Sequence, residues 1–384
     1  MLLENEFRKD VRVEKEVRTL FNAGNEVLVA AISSSGLPGM EKREDCIILR
    51  KPISKFILKS SVGALKVPVY FNFWRRFVAD ILKKYKVDVI HIHDLPLCRI
   101  GTEVRKHYNI KLVIDLHENW PALLGVSAHT NTFFGRILSS EKQWRTYEKA
   151  CVREADGVIA VVDEMKERIS KSGIPADKIF VLENTPDSGS INELKYERDN
   201  KFFTLIYVGG ISMHRGLQHV IDGVRLLIPE LPVRLWIAGD GRYSGTLKDQ
   251  VKKLKLLNFV EFFGMVTKAE SEDLLKKADL GLIPHLRSEQ SDNSSPNKLF
   301  EYMAVGLPVL ASNCISVKRV LDETKAGKTY VFDSPSDFAS VVKELYYDRE
   351  KSKIFAMNGE KAIREKYNWQ QSSISLLKLY SGLK

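Results

Sequence analysis

The chain has 384 residues, 44% of them hydrophobic, and a formal net charge of +10. This length is enough for two hydrophobic cores of ordinary size, so we expect two domains. No apolar run approaches the ~20 residues that cross a bilayer, and the start MLLENEF has neither the basic region nor the apolar region of a leader peptide, so we expect a cytoplasmic protein. The four cysteines are far apart without CxxC spacing, which argues against a zinc site and a disulfide framework.

Short apolar runs alternate with amphipathic stretches, which predicts βα units around parallel sheets. In the first half, residues 1–3 are predicted as the end of a very short first strand. Helical spacing of apolar residues covers 13–23, 73–84 and 141–154. Further strands are predicted over 26–32, 87–93, 111–117, 157–162 and 179–184. These elements form a first domain over residues 1–185.

A polar stretch over 186–201 has the composition of a linker. A second domain over 202–368 follows, with strands predicted at 203–209, 233–239, 260–264, 280–284, 308–312 and 329–332. The last segment, 369–384, is predicted as an amphipathic helix that packs back across the first domain. The fold class is therefore α/β, with two doubly wound, Rossmann-like parallel-sheet domains facing across a cleft, and ligands are expected outside the carboxyl ends of the strands.

The positive charge is concentrated between Lys42 and Lys86. This stretch carries twelve Lys and Arg residues and three acidic ones, which leaves it nine charges positive. Basic residues interleaved with aromatics suit an anionic membrane surface or a phosphate-bearing amphiphile, and the charge alone would also suit nucleic acid. The alternative is a solvated basic face whose aromatics turn toward the core. The aromatics concerned are Phe56, Tyr70, Phe71, Phe73, Trp74 and Phe77.

The segment NSSPNKLFEYMAVGLPVLAS (293–312) predicts a short capped helix that feeds a buried strand. Ser295 is the expected N-cap, Pro296 lies where a first helical turn tolerates proline, and Gly306 ends the helix. The strand that follows is apolar and begins near residue 308. A helix N-terminus of this kind offers backbone amides to an anion.

Lys298 in the first turn of this helix is unfavourable beside the positive end of the helix dipole unless an anion docks there. Glu301 shares its face at i,i+3 and can accept hydrogen bonds from hydroxyl groups beside that anion. Phosphate and sugar hydroxyls together indicate a nucleotide. The alternative is an ordinary surface ion pair, worth about 0.3 kcal/mol.

Histidines near the ends of two strands are further candidates. His91 and His93 lie on one face of a strand and precede Asp94, and such a pair could bind a metal. No third and fourth ligand is clustered with them in the sequence, so no metal site is predicted. His117, at the end of the next strand, is either a functional group or a structural histidine.

Seven motifs follow one another along the chain: DVRVEKEVRTLFNAGNEVLV (10–29), HIHDLP (91–96), IDLHENWP (114–121), EADGVIAVVDEMKERI (154–169), YVGGISMHRGL (207–217), IAGDG (237–241) and PNKLFEYMAVGLPVLAS (296–312). Their order and spacing resemble those of the GT-B glycosyltransferases of the large retaining family 4, also called glycosyl transferases group 1. The resemblance extends nearly from end to end. It implies transfer of a sugar from a nucleotide-diphosphate sugar with retention of configuration, without a required metal and without a cofactor beyond that co-substrate.

The resemblance also implies roles for individual residues. Glu301 matches the carboxylate that binds the nucleotide ribose, Arg215 matches the basic residue that faces the donor diphosphate, and His117 matches the histidine that approaches the donor sugar. In the proposed chemistry a neutral hydrogen-bond acceptor, such as the His117 ring or a backbone carbonyl, orients the sugar hydroxyls. The departing phosphate takes the proton of the acceptor substrate. Arg215 and Lys298 stabilise the leaving diphosphate.

Two positions depart from the family pattern. Asn293 stands where many members have an acid that contacts the donor sugar, with Asp292 adjacent, and Gly210 stands where many have an arginine. Lys298 is our candidate for the charge missing at Gly210. The predicted donor-binding residues are Glu301, Asn293, Ser294, Ser295, Gly210 and Met265.

The leading hypothesis is a glycosyltransferase that builds a surface polysaccharide or another glycoconjugate on a glycan or lipid-linked acceptor. The basic stretch 42–86 would hold it peripherally on the inner face of the cytoplasmic membrane, and no nucleic acid is expected as a partner. One alternative is a nucleotide-sugar 2-epimerase of GT-B-like fold. Another is a non-catalytic protein that binds membranes or nucleic acid. The nucleotide base, the sugar, the acceptor and the oligomeric state are not legible in the sequence.

Overall fold

The computed structural model describes residues 1–126, 139–187, 189 and 201–383. Two compact units divide the chain. The first comprises Met1–Asn184 and Ser372–Lys384, and the second comprises Thr185–Gln371. Each unit is built around its own largely parallel sheet, which confirms the predicted α/β class. Most of the linker predicted over 186–201 lies outside the described residues.

The first unit contains seven named strands among its described residues: β1 (Leu28–Ser33), β2 (Met40–Lys42), β3 (Ile47–Pro52), β4 (Val89–His93), β5 (Lys111–Leu116), β6 (Gly157–Ala160) and β7 (Ile179–Val181). Its helices are α1 (Val11–Asn22), α2 (Lys55–Lys59), α3 (Val69–Leu82), α4 (Cys98–Tyr108), α5 (Trp120–Val126), α6 (Glu141–Arg153) and α7 (Asp163–Lys171). The C-terminal helix, which runs over Trp369–Ser381, belongs to this unit from Ser372 onward.

The first residues of the chain join the two strand groups of this unit. One group has the order β1-β3-β2 and the other β4-β5-β6-β7, with every pair parallel except β2 with β3. Leu2 forms parallel bridges to Ala30 of β1 and to Ile92 of β4. The predicted first strand is therefore present only as Leu2, which bridges two longer strands.

The second unit has six parallel strands in the order β10-β9-β8-β11-β12-β13, the order of a doubly wound sheet. The strands are β8 (Phe203–Val208), β9 (Val233–Ala238), β10 (Val260–Gly264), β11 (Leu280–Ile283), β12 (Val309–Ser312) and β13 (Gly327–Tyr330). The helices are α8 (Leu217–Leu227), α9 (Ser244–Lys253), α10 (Lys268–Lys277), α11 (Glu289–Asp292), α12 (Asn297–Ala304), α13 (Ile315–Thr324), α14 (Pro335–Tyr347) and α15 (Arg349–Glu365), and the terminal helix α16 is Trp369–Ser381.

Two hydrophobic clusters cover opposite faces of this second sheet. Successive residues of β8 alternate between them, since Leu205 and Tyr207 belong to one cluster and Ile206 to the other. A strand buried on both faces reads as a continuous apolar run, which is why the sequence revealed it. Because all six strands run in the same direction, their carboxyl ends lie along one edge of the sheet.

The segment 42–86 contains the predicted helix as α3, and it agrees with the alternative in which its aromatics turn toward the core. Its first part forms the hairpin of β2 and β3, which was not predicted, and β3 pairs in parallel with β1. Tyr70, Phe71 and Trp74 are completely buried on α3. Most of the aromatics in this basic stretch therefore serve the core of the first unit.

Candidate functional site

Glycine-containing loops pack closely at the carboxyl ends of β8, β9 and β11. Gly209 has a φ of +134°, and its N–H donates to the carbonyl of Ala238 at 2.8 Å. A Cβ on Gly239 would lie 2.0 Å from the Gly209 carbonyl oxygen, and one on Gly216 would lie 1.9 Å from that of Pro284. Side chains at Gly239 and Gly216 would force these loops apart. The chain thus brings three strand ends together where ligands bind in such sheets.

Arg215 lies in a short 3-10 helix over Met213–Arg215, directly after the loop that follows β8. Its Nη1 is 2.8 Å from Nε2 of His285, which follows β11. Burial lowers the pKa of His285 well below its ordinary value, and the nearby charges of Arg215 and Lys298 lower it further. A neutral His285 ring therefore accepts the hydrogen bond and fixes the guanidinium.

Lys298 lies on α12 and is only 8% exposed. Its Nζ is 3.7 Å from the centroid of the Tyr207 ring. Burial and then Arg215 lower the pKa of Lys298 well below its ordinary value, while Glu301 opposes this shift. Lys298 is therefore a buried residue and not the surface lysine of the alternative considered from the sequence. A second basic side chain lies near Arg215 in a poorly solvated place, where a bound anion would stabilise its charged form.

The start of α12 differs from the sequence expectation. Pro296, not Ser295, occupies the N-cap position, and no side chain caps the helix there. The Ser295 hydroxyl is buried without a hydrogen-bond partner among the described residues. The first turn of α12 consequently keeps its N-terminal face clear of a capping side chain, as an anion site requires.

Asn293 and Ser294 are turned back onto α11. Asn293 Nδ2 donates to the carbonyl of Glu289 at 2.7 Å, and Ser294 Oγ donates to that of Gln290 at 3.0 Å. The neighbouring Asp292 carboxylate accepts from Arg287 Nε at 3.0 Å and from the N–H of Ile315 at 2.9 Å. These polar groups therefore stabilise the loop before α12 in this conformation.

The remaining predicted donor residues are accessible. Gly210 and Glu301 are exposed, and Met265 is 79% exposed after the turn at Gly264. The Gly210 carbonyl accepts a 2.7 Å hydrogen bond from the Tyr207 hydroxyl, so the ring that underlies Lys298 also holds this loop. The second unit thus combines two basic side chains, Arg215 and Lys298, with the exposed carboxylate of Glu301, which lies one helical turn after Lys298.

In the first unit, His117 belongs to a cluster of buried polar groups at the ends of β4 and β5. Its Nε2 is 3.1 Å from Oδ2 of Asp115 and 3.2 Å from Nδ1 of His93. On its other side, Nδ1 is 3.5 Å from Oδ2 of Asp94. Burial alone would lower the pKa of His117, but the carboxylates of Asp94 and Asp115 raise it to about 9. The imidazolium form is therefore favoured at pH 7, not the neutral ring expected from the sequence.

Two residues of α1 complete this cluster. Arg12 Nη2 is 3.0 Å from Oδ1 of Asp115, and Arg12 Nε is 3.1 Å from Oε1 of Glu16. Burial would raise the pKa of Asp115, but Arg12 and His117 hold it well below its ordinary value. Burial and then Asp115 raise the pKa of Glu16 well above its ordinary value.

Sequence reasoning did not identify Arg12, Glu16, Asp115 or His285. The available signals were a charged residue inside the apolar run KLVIDLH, and an Arg/Glu pair four residues apart on the same face of α1 as Val13 and Val17. Ionisable residues on a buried face need a partner, so both signals indicated an internal ion pair.

Comparison with known proteins agrees with these features. Residues 11–188 match the family model described as Glycosyltransferase Family 4, and residues 203–348 match the model described as Glycosyl transferases group 1. A glycosyltransferase from Methanocaldococcus jannaschii is 24% identical over 332 residues, which cover 81% of each chain.

Solved structures show the same fold. Sucrose-phosphate synthase from Thermosynechococcus elongatus superposes with a TM-score of 0.77 at 16% identity, covering 98% of this chain and 93% of its own. HepE from Anabaena, solved in complex with UDP and glucose, superposes with a TM-score of 0.74 at 15% identity, covering 99% of this chain and 98% of its own. Two parallel-sheet α/β units with these neighbours define a GT-B fold.

The two family models together match most of the chain, one in each unit. The chain therefore belongs to the family 4, group 1 glycosyltransferases.

Proposed function

We propose that this glycosyltransferase transfers a sugar, with retention, from a nucleotide-diphosphate sugar to a glycan or lipid-linked acceptor in the assembly of a surface polysaccharide or glycoconjugate. The observation that carries the proposal is the pair of basic side chains, Arg215 and buried Lys298, at the strand ends of the second unit, where burial and Arg215 lower the pKa of Lys298. A diphosphate supplies the negative charge that this pair lacks.

Each candidate residue has a distinct part in the proposed reaction. Arg215 and Lys298 hold the diphosphate and stabilise it as the bond to the anomeric carbon breaks, Glu301 binds the ribose, and His117 contacts the donor sugar. The acceptor oxygen bonds to the anomeric carbon on the same face, and its proton passes to the departing phosphate. Because fixed cations and the α12 amides stabilise the leaving group, this proposal requires no metal.

Calorimetric titration with a panel of nucleoside diphosphates and their sugars tests the donor site. We expect at least one to bind and to raise the melting temperature. In Arg215→Met, affinity falls by roughly tenfold or more, because a charge-assisted contact contributes about 1.5–3 kcal/mol. Arg225→Met, a change at an exposed arginine of α8, leaves the affinity unchanged. Absence of binding by every compound would overturn the proposal.

The assignment of Glu301 has its own test. For the nucleotide that binds best, the 2′- and 3′-deoxy analogues should bind more weakly to the wild type. In Glu301→Gln, the ribose nucleotide should bind more weakly too, and the penalty for the deoxy analogues should shrink, because the carboxylate that accepts from the missing hydroxyl is gone. Equal penalties in both proteins would refute this role.

Two rival functions make different predictions. An epimerase would interconvert a nucleotide sugar incubated alone, whereas a transferase would at most hydrolyse it slowly. A non-catalytic binding protein would retain salt-sensitive binding to its membrane or nucleic acid when Arg215 and Glu301 are replaced. Product analysis by mass spectrometry, with and without an acceptor extract, separates all three.

We further propose that part of the basic stretch contacts an anionic membrane. No acidic residue occurs between Cys46 and Ala79. Within this stretch, residues 55–67 present exposed apolar and basic side chains, and Phe56 is 73% exposed on α2. Such a surface suits phospholipid headgroups and the upper acyl region. Among the described residues, no helix has the length and apolar character needed to span a bilayer.

Flotation with liposomes tests this contact. We expect recovery with anionic vesicles to exceed that with neutral vesicles and to fall in Phe56→Ser. Leu257→Ser, at a similarly exposed apolar residue of the second unit, serves as the matched control. Equal recovery with both vesicle types would exclude the electrostatic contact.

A further inference from the structure

Three ligand-type atoms of the first unit converge at the distances expected around a metal ion. His117 Nε2 is 3.1 Å from Asp115 Oδ2 and 3.2 Å from His93 Nδ1. His93 Nδ1 is 3.5 Å from Asp115 Oδ2. A tetrahedral ion with bonds of about 2.1 Å separates its ligand atoms by about 3.4 Å. One ion can therefore bond all three atoms after only small side-chain movements.

Glu16 supplies a fourth candidate ligand and an independent observation. One ligand atom from each of Glu16, His93, Asp115 and His117 lies within 4.8 Å of the others. Glu16 is completely buried, and among the described residues neither of its carboxylate oxygens has a hydrogen-bond partner. The Arg12 guanidinium is near Oε1 but satisfies neither oxygen with a hydrogen bond. A buried carboxyl group in this condition can exchange its proton for a cation.

The surrounding groups match the outer shell of a metal site. Metal-bound histidines usually donate their other ring N–H to a carboxylate, and His117 Nδ1 faces Asp94 Oδ2 at 3.5 Å. The ligand carboxylate of Asp115 is oriented by Arg12, whose Nη2 lies 3.0 Å away. The contact with Asp94 thus leaves His117 Nε2 as the inward nitrogen, and Arg12, which bonds to both oxygens of Asp115, holds that carboxylate in place. Nε2 of His93 has no hydrogen-bond partner among the described residues.

The charges of the cluster also favour a divalent ion. Metal binding displaces the protons of His117 and Glu16, whose pKa values are raised in the metal-free protein. In that deprotonated form the carboxylates of Glu16, Asp94 and Asp115 exceed the guanidinium of Arg12 by two negative charges. One divalent cation balances this excess in a place where unbalanced charge is costly. Two imidazoles with carboxylates suit Zn²⁺ and Co²⁺ better than Mg²⁺ or Ca²⁺, which prefer oxygen ligands alone.

We propose that His93, Asp115, His117 and Glu16 form a binding site for one Zn²⁺-type ion, and that its occupancy inhibits the enzyme. Coordination occupies His117 Nε2, so that this nitrogen can no longer bond to the donor sugar. The inhibition rests on the role proposed for His117 above, whereas metal binding itself does not.

Titration of the untagged, metal-free protein with Co²⁺ tests the site directly, because coordinated Co²⁺ has visible absorption bands that report its ligands. We expect bands for one equivalent per chain and their loss on addition of Zn²⁺. In His93→Gln, affinity should fall by about tenfold or more. His91→Gln, at the buried histidine stacked on His93 with a ring separation of 4.4 Å, is the matched control and should keep the bands.

Thermal unfolding without metal shows whether each variant is folded, and Glu16→Gln, of nearly the same shape, replaces His93→Gln if that variant is not. Absence of the bands in the wild type, or equal affinity in the ligand variants and in His91→Gln, would overturn the site. If Co²⁺ binds as expected but Zn²⁺ does not slow sugar transfer, the site stands and the role of His117 in the reaction fails.

Discussion

Replacing Lys298 by Met separates the binding role of this residue from its structural role. Methionine keeps an unbranched side chain of similar length that can still pack on Tyr207, but removes the ammonium. In the ligand-free protein that ammonium is buried near a second cation, a condition reflected in a pKa well below its ordinary value. The substitution therefore removes an unfavourable charge as well as a contact with the diphosphate.

Loss of the contact with the diphosphate weakens nucleotide binding, whereas removal of the buried charge favours the ligand-free fold. Both effects can be estimated. Loss of charge-assisted contacts to a phosphate costs about 1.5–3 kcal/mol, which weakens nucleotide binding by roughly tenfold to a hundredfold. In the ligand-free protein, the lost cation–π contact costs about 0.5–2 kcal/mol, and relief of the desolvated charge offsets it. We expect ligand-free stability to remain within about 1 kcal/mol of the wild type.

Dependence on pH provides a further check. Because the pKa of Lys298 is lower in the folded chain than in the unfolded chain, the unfolded state binds more protons between the two values. The stability of the wild type relative to Lys298→Met should therefore rise as the pH increases toward the unfolded value of about 10.4.

Calorimetry measures the affinity, and urea unfolding at pH 7 and pH 9 measures the stability. Lys252→Met, at an exposed lysine of α9, is the control for loss of one positive charge. Unchanged nucleotide affinity in Lys298→Met would refute the assignment of this lysine to the diphosphate. A large loss of ligand-free stability would show instead that Lys298 is a structural residue.

Three other changes test the framework of the two sites. Gly209→Ala introduces a Cβ at a φ of +134°, 2.9 Å from the Lys298 ammonium, and should destabilise the fold by about 1–3 kcal/mol and weaken nucleotide binding. Gly245→Ala, within α9 and with no atom near the new Cβ, should instead stabilise by about 0.5–1 kcal/mol; equal effects in urea unfolding would contradict this account. Arg12→Leu leaves buried carboxylates without their cation and should cost about 3–5 kcal/mol, whereas Arg8→Leu at an exposed position should change the unfolding midpoint little. Tyr380→Phe removes the 2.9 Å hydrogen bond to His91 and should cost about 1 kcal/mol in the same measurement; no change would mean that the terminal helix is held by its apolar contacts alone.

The four central strands of the second unit, β8, β9, β11 and β12, could be predicted because both of their faces are buried. β8 and β9 are continuous apolar runs bounded by glycine, and the predicted bounds differ from the structure by a single residue at the carboxyl end. The predicted bounds of β13 lie two residues too far along the chain, because Gly327 and Lys328 are not residues typical of strands. The sequence did not predict β3, whose residues alternate between buried and partly exposed. This strand lies within a run of basic residues that was interpreted as a charged surface.

The sequence predicted those site residues whose position in a helix or strand can be read locally, but not the contacts between their side chains. Lys298 was found because the position of a charged side chain in a first helical turn is legible in the sequence. That it lies over Tyr207 depends on side-chain packing between α12 and β8, which no local pattern encodes. The hydrogen bond between Arg215 and His285 likewise joins residues 70 positions apart that meet only because β8 and β11 are neighbours.

The structure gives a physical reason for an asparagine at position 293, where many members of the family have an acid. From the sequence alone, Asp292 could have supplied the acid that is absent at position 293. In the structure the Asp292 carboxylate is committed to Arg287 and to the start of α13, and Asn293 donates to the end of α11 through an N–H that a carboxylate does not possess. An acid at position 293 would face the Glu289 carbonyl without a proton to share. The amide is therefore part of how this loop is held, and the loop in turn precedes the uncapped start of α12.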